Sequence, residues 1–224
     1  MTNAEPNLTA DFAHVREWVF DLDNTLYPPE ARLFDQIEVR MTDFVMRALG
    51  LPRDEANRLR AHYWQLYGTT LAGLMHEHGV DPGPYLNEVH EISLEHLRPD
   101  PVLRTGIAAL PGQKIVFTNG SAPYAMRVLE ARGLSGLFDG IYGVENAGFH
   151  PKPHPASFAT VFGAAGITPT RAAMFEDDPR NLVEPHTLGM RCVHVAPEAM
   201  PAPPAHIHHH TGDLAAFLSR INPA

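Results

Sequence analysis

Apolar positions along this chain keep two different rhythms. Trp18-Val19-Phe20, Ile115-Val116-Phe117 and Ala172-Ala173-Met174-Phe175 are short unbroken runs that end in acids, hydroxyls or turn formers, as buried strands do when they leave a core. Gly140-Ile141-Tyr142-Gly143-Val144 reads as a further short strand and residues 191–195 as a last one. Elsewhere the period lengthens. Leu33, Ile37, Met41, Phe44, Val45 and Leu49 recur at helical spacing until Gly50, and Pro52 opens a second run carrying Ala56, Leu59, Tyr63 and Leu66 on one face. Gly68 breaks that run, and residues 85–97 read as a third helix. Helices are also expected over 124–132, 156–165, 182–188 and 213–221, with residues 1–15 a polar lead-in and the Ala/Pro-rich 197–205 a connecting loop.

Strands alternating with helices specify an α/β fold, a doubly wound parallel-sheet, Rossmann-like core. The long helical block interrupts that alternation after the first strand, so the expected division is a core of residues 1–27 and 99–224 with an all-helical cap, 28–98, inserted into it.

Length, at 224 residues, suits one good-sized domain with a modest insertion. The 17 basic and 26 acidic residues leave a net charge of −9, which argues against a nucleic-acid polymer or an anionic membrane as partner. A single cysteine, Cys192, allows no intrachain disulfide and is expected to be inert core. The first residues lack a basic-then-apolar leader pattern and nothing approaches a membrane span, so a cytoplasmic protein is expected.

The first strand breaks into Asp21-Leu22-Asp23-Asn24-Thr25. Two like charges this close oppose each other's ionisation, and a cation or a shared proton relieves the conflict. In open parallel sheets ligands bind at the carboxyl ends of strands. Three strands end there in Asp21/Asp23, in Thr118-Asn119 and in Glu176/Asp177, and Lys152 follows a fourth, between Pro151 and Pro153. That inventory suits phosphoryl transfer, with a carboxylate to attack phosphorus, a hard cation to neutralise oxygens, and hydroxyl and lysine donors to hold them. Magnesium is the cation that a few carboxylates plus water and phosphate favour.

Plainer readings compete with each piece. Asp21 to Thr25 fails as a calcium loop, because Leu26 stands where its glycine belongs and Arg32 where its glutamate belongs. Thr118-Asn119-Gly120 taken alone is a turn, and Lys152 alone a solvated loop charge. Asp178 reads as a helix N-cap, and Asn181 either braces Asp177 or lies on the surface. His206, His208, His209 and His210 are expected in a partly exposed loop or edge strand that binds zinc or nickel only adventitiously. His76 and His78, two apart, do not share a helix face.

Asp21-Leu22-Asp23-Asn24-Thr25, Thr118, Lys152 and Glu176-Asp177, in that order, resemble the four motifs of the haloacid-dehalogenase superfamily of phosphohydrolases. The resemblance implies that Asp21 is the nucleophile that becomes an aspartyl phosphate, and that Asp23 is the general acid and then the base. Thr118, Asn119 and Lys152 would bind the substrate phosphate, with Thr118 and Lys152 also in the catalytic set. Asp21, the main-chain oxygen of Asp23 and Asp177 would hold Mg²⁺, with Glu176 in its first or second ligand shell. Phe20-Asp21-Leu22-Asp23-Asn24-Thr25-Leu26-Tyr27-Pro28, Tyr67-Gly68-Thr69-Thr70-Leu71 and Phe175-Glu176-Asp177-Asp178-Pro179-Arg180-Asn181 are similar to the pyrimidine 5′-nucleotidase branch, save that Glu176-Asp177 stands where paired aspartates are usual.

The expected substrate is therefore a small phosphorylated molecule, a pyrimidine nucleoside monophosphate, handled by a monomer or homodimer. Tyr27, Tyr63, Tyr67, Thr69 and Thr70 are the candidates to receive its base. A phosphosugar or phosphoglycolate phosphatase, a phosphomutase, and a non-catalytic phosphate-binding or partner-binding protein are the alternatives, since the core grips only the phosphoryl group.

Overall fold

The computed structural model describes residues 8–221. Its centre is a six-stranded sheet of β1 (Glu17–Phe20), β2 (Gln113–Phe117), β3 (Gly140–Tyr142), β4 (Ala172–Glu176), β5 (Arg191–Val195) and β6 (His209–Thr211), in the order β3-β2-β1-β4-β5-β6. Every pairing is parallel. Phe20 pairs with Val116 on one side and Phe175 on the other, so the residues that follow β1, β2 and β4 emerge together. The chain winds outward from β1 to β3 and then returns to build β4, β5 and β6 on the opposite side. This reversal makes the C-terminal edge beside β1 the fold's switch point.

Alternation along the strands divides the core in two. Trp18, Phe20, Val116 and Phe175 face α1 (Leu8–Phe12), α6 (Pro101–Ala109), α7 (Ala122–Ala131) and α10 (Leu214–Ile221). Val19, Ile115, Phe117 and Met174 face α8 (Pro155–Ala165) and Leu182, just ahead of α9 (Val183–Thr187). Phe20 and Phe175 stack at 4.8 Å, tying the two central strands on the first face.

Between β1 and α6 the chain forms α2 (Leu33–Leu49), α3 (Arg53–Tyr67), α4 (Thr70–His78) and α5 (Pro82–Val89). Gly50 and Gly79, both left-handed, end α2 and α4. α4 is an addition to the sequence expectation: after Gly68, the Thr69 hydroxyl accepts from Ala72 N at 3.1 Å and restarts the helix. The helix expected over 85–97 is instead α5, which ends at Val89. Arg127 donates to the carbonyls of His90 and Ile92 at 3.1 and 3.0 Å, which engages oxygens a continuing helix would use.

The polar lead-in also differs. Leu8, Phe12 and Val15 are buried, with α1 packed on the core, while residues 1–7 lie outside the described part. α6, capped by Asp100, is a further helix beyond expectation. Cys192 is buried, and that burial pushes its thiol up to about 12, the state of an unreactive core cysteine. Of the histidine stretch, His209 and His210 lie in the edge strand β6, and the four imidazoles serve separate partners. His206 meets Pro179 O, His208 accepts from Cys192 N, His209 faces Asp11 and His210 meets Ala196 O. Among the described residues no helix is long and apolar enough to cross a membrane.

Packing within the helical block gives a direct test. A Cβ on Gly73 of α4 would stand 2.3 Å from Tyr63 Cγ of α3, whereas one on Gly163 of α8 would meet nothing within 4 Å. Gly73→Ala should lower the unfolding free energy by about 1–3 kcal/mol. Gly163→Ala should raise it by about 0.4–1 kcal/mol. Denaturant titration of both variants measures the contrast.

Candidate active site

The strand ends at the switch point carry the polar groups. Asp21 continues β1, its N–H donating to Phe175 O at 2.9 Å. The chain then folds back on itself, with Leu26 N donating to Leu22 O at 3.0 Å and Asn24 held at φ 56°. Asparagine tolerates that left-handed turn better than most side chains. Its amide donates to Asp177 Oδ2 at 3.2 Å, linking the β1 turn to the end of β4.

Lys152 lies at the centre, 1% exposed. Its Nζ donates to Asp21 Oδ1 at 2.7 Å, to Glu176 Oε2 at 2.6 Å and to Phe117 O at 2.9 Å, using all the N–H groups an ammonium has. Its main chain is clamped by Asn119: Lys152 N donates to Asn119 Oδ1 at 2.7 Å, and Asn119 Nδ2 donates to Lys152 O at 3.0 Å. Asn119, a candidate for phosphate binding, lines a cavity beside this loop and holds it through one N–H and the oxygen of its amide. Thr118, fully buried, accepts from Gly120 N at 2.9 Å through its hydroxyl.

Glu176 and Asp177 end β4 with different partners. Glu176 meets Lys152 through Oε2 and receives Asn181 Nδ2 at 3.0 Å on Oε1. Asn181 therefore braces Glu176 rather than Asp177, and it is buried. Asp178 accepts from Arg180 N at 3.0 Å, as an N-cap should. Among the described residues, Asp21, Glu176 and Asp177 form one group whose carboxylate oxygens lie within 4.8 Å of one another.

Burial pushes the Asp21 carboxyl well above its usual range, Glu176 and Asp23 add to that rise, and Lys152 opposes it. Burial, with the neighbouring acids, also lifts Glu176 to about 7 and Asp177 to about 7. For Lys152, burial pulls downward, but Asp21 and Glu176 outweigh it and hold the ammonium above its ordinary value. One lysine thus faces three crowded carboxylates, and the site is short of positive charge.

Asp23 is held separately. Tyr27 and Tyr124 donate their hydroxyls to the same oxygen, Oδ1, at 2.6 and 2.8 Å. Burial raises the Asp23 carboxyl, and these two hydrogen bonds work against the rise. Both phenols are pushed upward, first by burial and then by the Asp23 charge, and stay protonated donors. Behind Tyr124, the His90 ring stacks at 4.4 Å and 6°, with Nδ1 3.1 Å from Ser121 Oγ.

A cavity of about 290 Å³ adjoins these groups, lined by Asp21, Asp23 and Lys152 and, among its apolar residues, by Phe34, Met41 and Trp64. Arg180, paired with Asp178, lays its guanidinium 3.7 Å from the centre of the Trp64 ring. Of the candidates to receive a base, Thr69 and Thr70 line the cavity, but Tyr27, Tyr63 and Tyr67 do not. Tyr27 is buried against Asp23, Tyr63 bonds His78, and Tyr67 bonds Glu77. Phe34, Trp64 and Tyr85 supply the aromatic surface instead.

This fold and this cluster of acids around a lysine define a haloacid dehalogenase-like hydrolase. The description of that family matches residues 18–183, and the chain belongs to it. It is 31% identical over 192 residues to Phosphate metabolism protein 8 of Saccharomyces cerevisiae, covering 79% of this chain and 59% of the yeast protein. The chain thus spans well under two thirds of that relative's length. Validoxylamine A 7′-phosphate phosphatase of Streptomyces hygroscopicus subsp. limoneus is 27% identical over 186 residues, covering 78% and 83% of the two chains. A solved phosphatase of the same superfamily from Thermococcus onnurineus superposes with a TM-score of 0.61 at 18% identity over 92% of this chain and 97% of its own, a likeness of fold.

His90 gives this region a pH signature. Burial, helped by the Arg127 charge, holds its imidazole down at about 4, against an ordinary 6.5. The folded state then binds fewer protons than the unfolded state between those values, so stability is lost as pH falls from about 6.5 to about 4. Gln at this position does not titrate. The stability advantage of wild type over His90→Gln should therefore shrink as pH falls through that window, which denaturant titration at several pH values measures.

Proposed function

We propose that this chain is a Mg²⁺-dependent phosphomonoester hydrolase that works through an aspartyl phosphate on Asp21, with pyrimidine nucleoside 5′-monophosphates as its substrates. The observation that carries the reading is Lys152, buried and bonded to both Asp21 and Glu176. With Lys152 on Oδ1, Asp21 keeps its other oxygen for attack on phosphorus. The ester P–O bond breaks with its electron pair on the leaving oxygen, which takes a proton from Asp23. Water then attacks phosphorus, gives its proton to Asp23, and Asp21 leaves as a carboxylate. Thr118 and Lys152 hold the phosphoryl oxygens.

Asp21, Asp177 and the main-chain oxygen of Asp23 would hold the metal. The fit rests on hard oxygen donors gathered within 4.8 Å and short of positive charge. Glu176, with one oxygen on Lys152 and the other on Asn181, is better placed to orient the site than to ligate. Bound there, Mg²⁺ supplies charge neutralisation to the phosphoryl oxygens.

Residues 28–98 act in this reading as a cap on a core of 1–27 and 99–224. Phe34, Trp64 and Tyr85 offer a flat base its stacking surface. A phosphosugar phosphatase is the second reading, favoured by the likeness to the Streptomyces validoxylamine A 7′-phosphate phosphatase.

The test is kcat/KM for UMP, CMP, AMP, GMP, phosphoglycolate and a hexose phosphate with Mg²⁺, repeated in chelator. UMP or CMP should lead, and chelator should abolish turnover. A lead of about tenfold for a sugar phosphate would replace the nucleotide reading with the second. Full turnover without metal would remove the Mg²⁺ assignment. Lys152→Ala should lower kcat by about 10²–10³ and weaken inorganic phosphate binding, which steady-state kinetics and product inhibition measure.

A further inference from the structure

We infer that Tyr27 and Tyr124 are positioning residues that fix the Asp23 carboxylate for proton transfer by jointly holding one of its oxygens, Oδ1. The inference rests on the proposed role of Asp23 and extends it to two side chains outside the family motifs that suggested that role.

The phenols reach Asp23 from different parts of the chain. Tyr27 lies four residues on, in the same turn, and Tyr124 lies 101 residues on, in the first turns of α7. Each is 1% exposed. Their hydroxyls converge on Oδ1 at 2.6 and 2.8 Å. Two donors fill the lone pairs of a carboxylate oxygen, so the proton that Asp23 carries sits on Oδ2. The terminal torsion of aspartate is broad when nothing holds it. Here a rotation of the carboxylate out of its plane would leave two buried phenols unpaired, so the two bonds fix its orientation.

The phenols are themselves anchored. The His90 ring lies parallel to Tyr124 at 4.4 Å, and the main chain beside Tyr27 is pinned by buried Arg132, whose Nε donates to Leu26 O at 3.1 Å. Packing alone would be served by two phenylalanines. Two hydroxyls meeting on one oxygen serve orientation.

In the first half-reaction the proton on Oδ2 passes to the leaving oxygen as the P–O bond breaks. In the second, water returns a proton to Oδ2 as its oxygen bonds phosphorus. A misplaced carboxylate harms the first transfer most when the leaving group is poor, because a good leaving group departs without help.

The experiment compares Tyr27→Phe, Tyr124→Phe, the double variant and Asp23→Asn on two substrates, p-nitrophenyl phosphate and UMP, with Mg²⁺ present. For each single Phe variant, kcat/KM for UMP should fall about 10- to 100-fold, while that for p-nitrophenyl phosphate falls less than about threefold, as partial loss of acid catalysis requires. The double variant should approach the discrimination of Asp23→Asn, with inorganic phosphate inhibition unchanged throughout. His90→Ala, which removes the ring stacked on Tyr124, should shift the ratio the same way to a smaller degree, and it supplies the test should a Phe variant fold poorly. Equal losses on both substrates, or none, while Asp23→Asn discriminates, would overturn the inference alone. Absence of discrimination in Asp23→Asn itself would overturn both the inference and the role given to Asp23.

Discussion

The site is organised around one buried ammonium. Removing Lys152 from water is unfavourable, and so is removing Asp21 and Glu176; what makes the arrangement tenable is that the ammonium offsets the desolvation of both carboxylates, and they offset its own, at 2.6–2.7 Å. The lysine's third donor goes to Phe117 O, so its position is set by a strand as well as by charge. Once Asp21 and Glu176 are bound to the same nitrogen, the ends of β1 and β4 are tied across the switch point, and β2 is tied to both. Asp177 is left outside that balance, which is why the acids remain crowded and a divalent cation is the natural complement.

Around this centre each polar group has a second residue that aims it. Asn119 grips the main chain of Lys152, Asn181 holds Glu176, Asn24 reaches Asp177, and two tyrosines hold Asp23. Amides and phenols suit this work because they donate without adding charge to a site already crowded with it. The remaining space belongs to the helical block, whose apolar and aromatic residues close over the polar floor. In the proposed reading, chemistry and selectivity are supplied by different parts of the chain.

How much of this the sequence disclosed follows from where each partner lies. β1, β2 and β4 were legible as apolar runs, and the groups at their ends, Asp21, Thr118, Glu176 and Asp177, were legible with them, because strand order alone brings strand ends together. β6 was legible only as a choice between loop and edge strand, since His209 to Thr211 is a three-residue strand with no apolar signal to decide it. The early end of α5 depends on Arg127, which lies in α7, and no local pattern reports such a contact. The same limit hid Tyr124, whose partner is 101 residues away, and misassigned Tyr27, whose ring type was plain but whose burial was not. Asn24 was the exception. Its type and place already suit a left-handed turn, and its contact with Asp177 follows from that turn.

Asp21, held by the ammonium of Lys152 that Glu176 shares, is the group proposed to attack phosphorus. Acid quenching during a single turnover of UMP or p-nitrophenyl phosphate, followed by peptide mapping, tests it most directly. The account predicts phosphate on the peptide containing Asp21, labile to hydroxylamine as an acyl phosphate is, and none in Asp21→Asn. Phosphate on another residue, or continued turnover by Asp21→Asn, would contradict it.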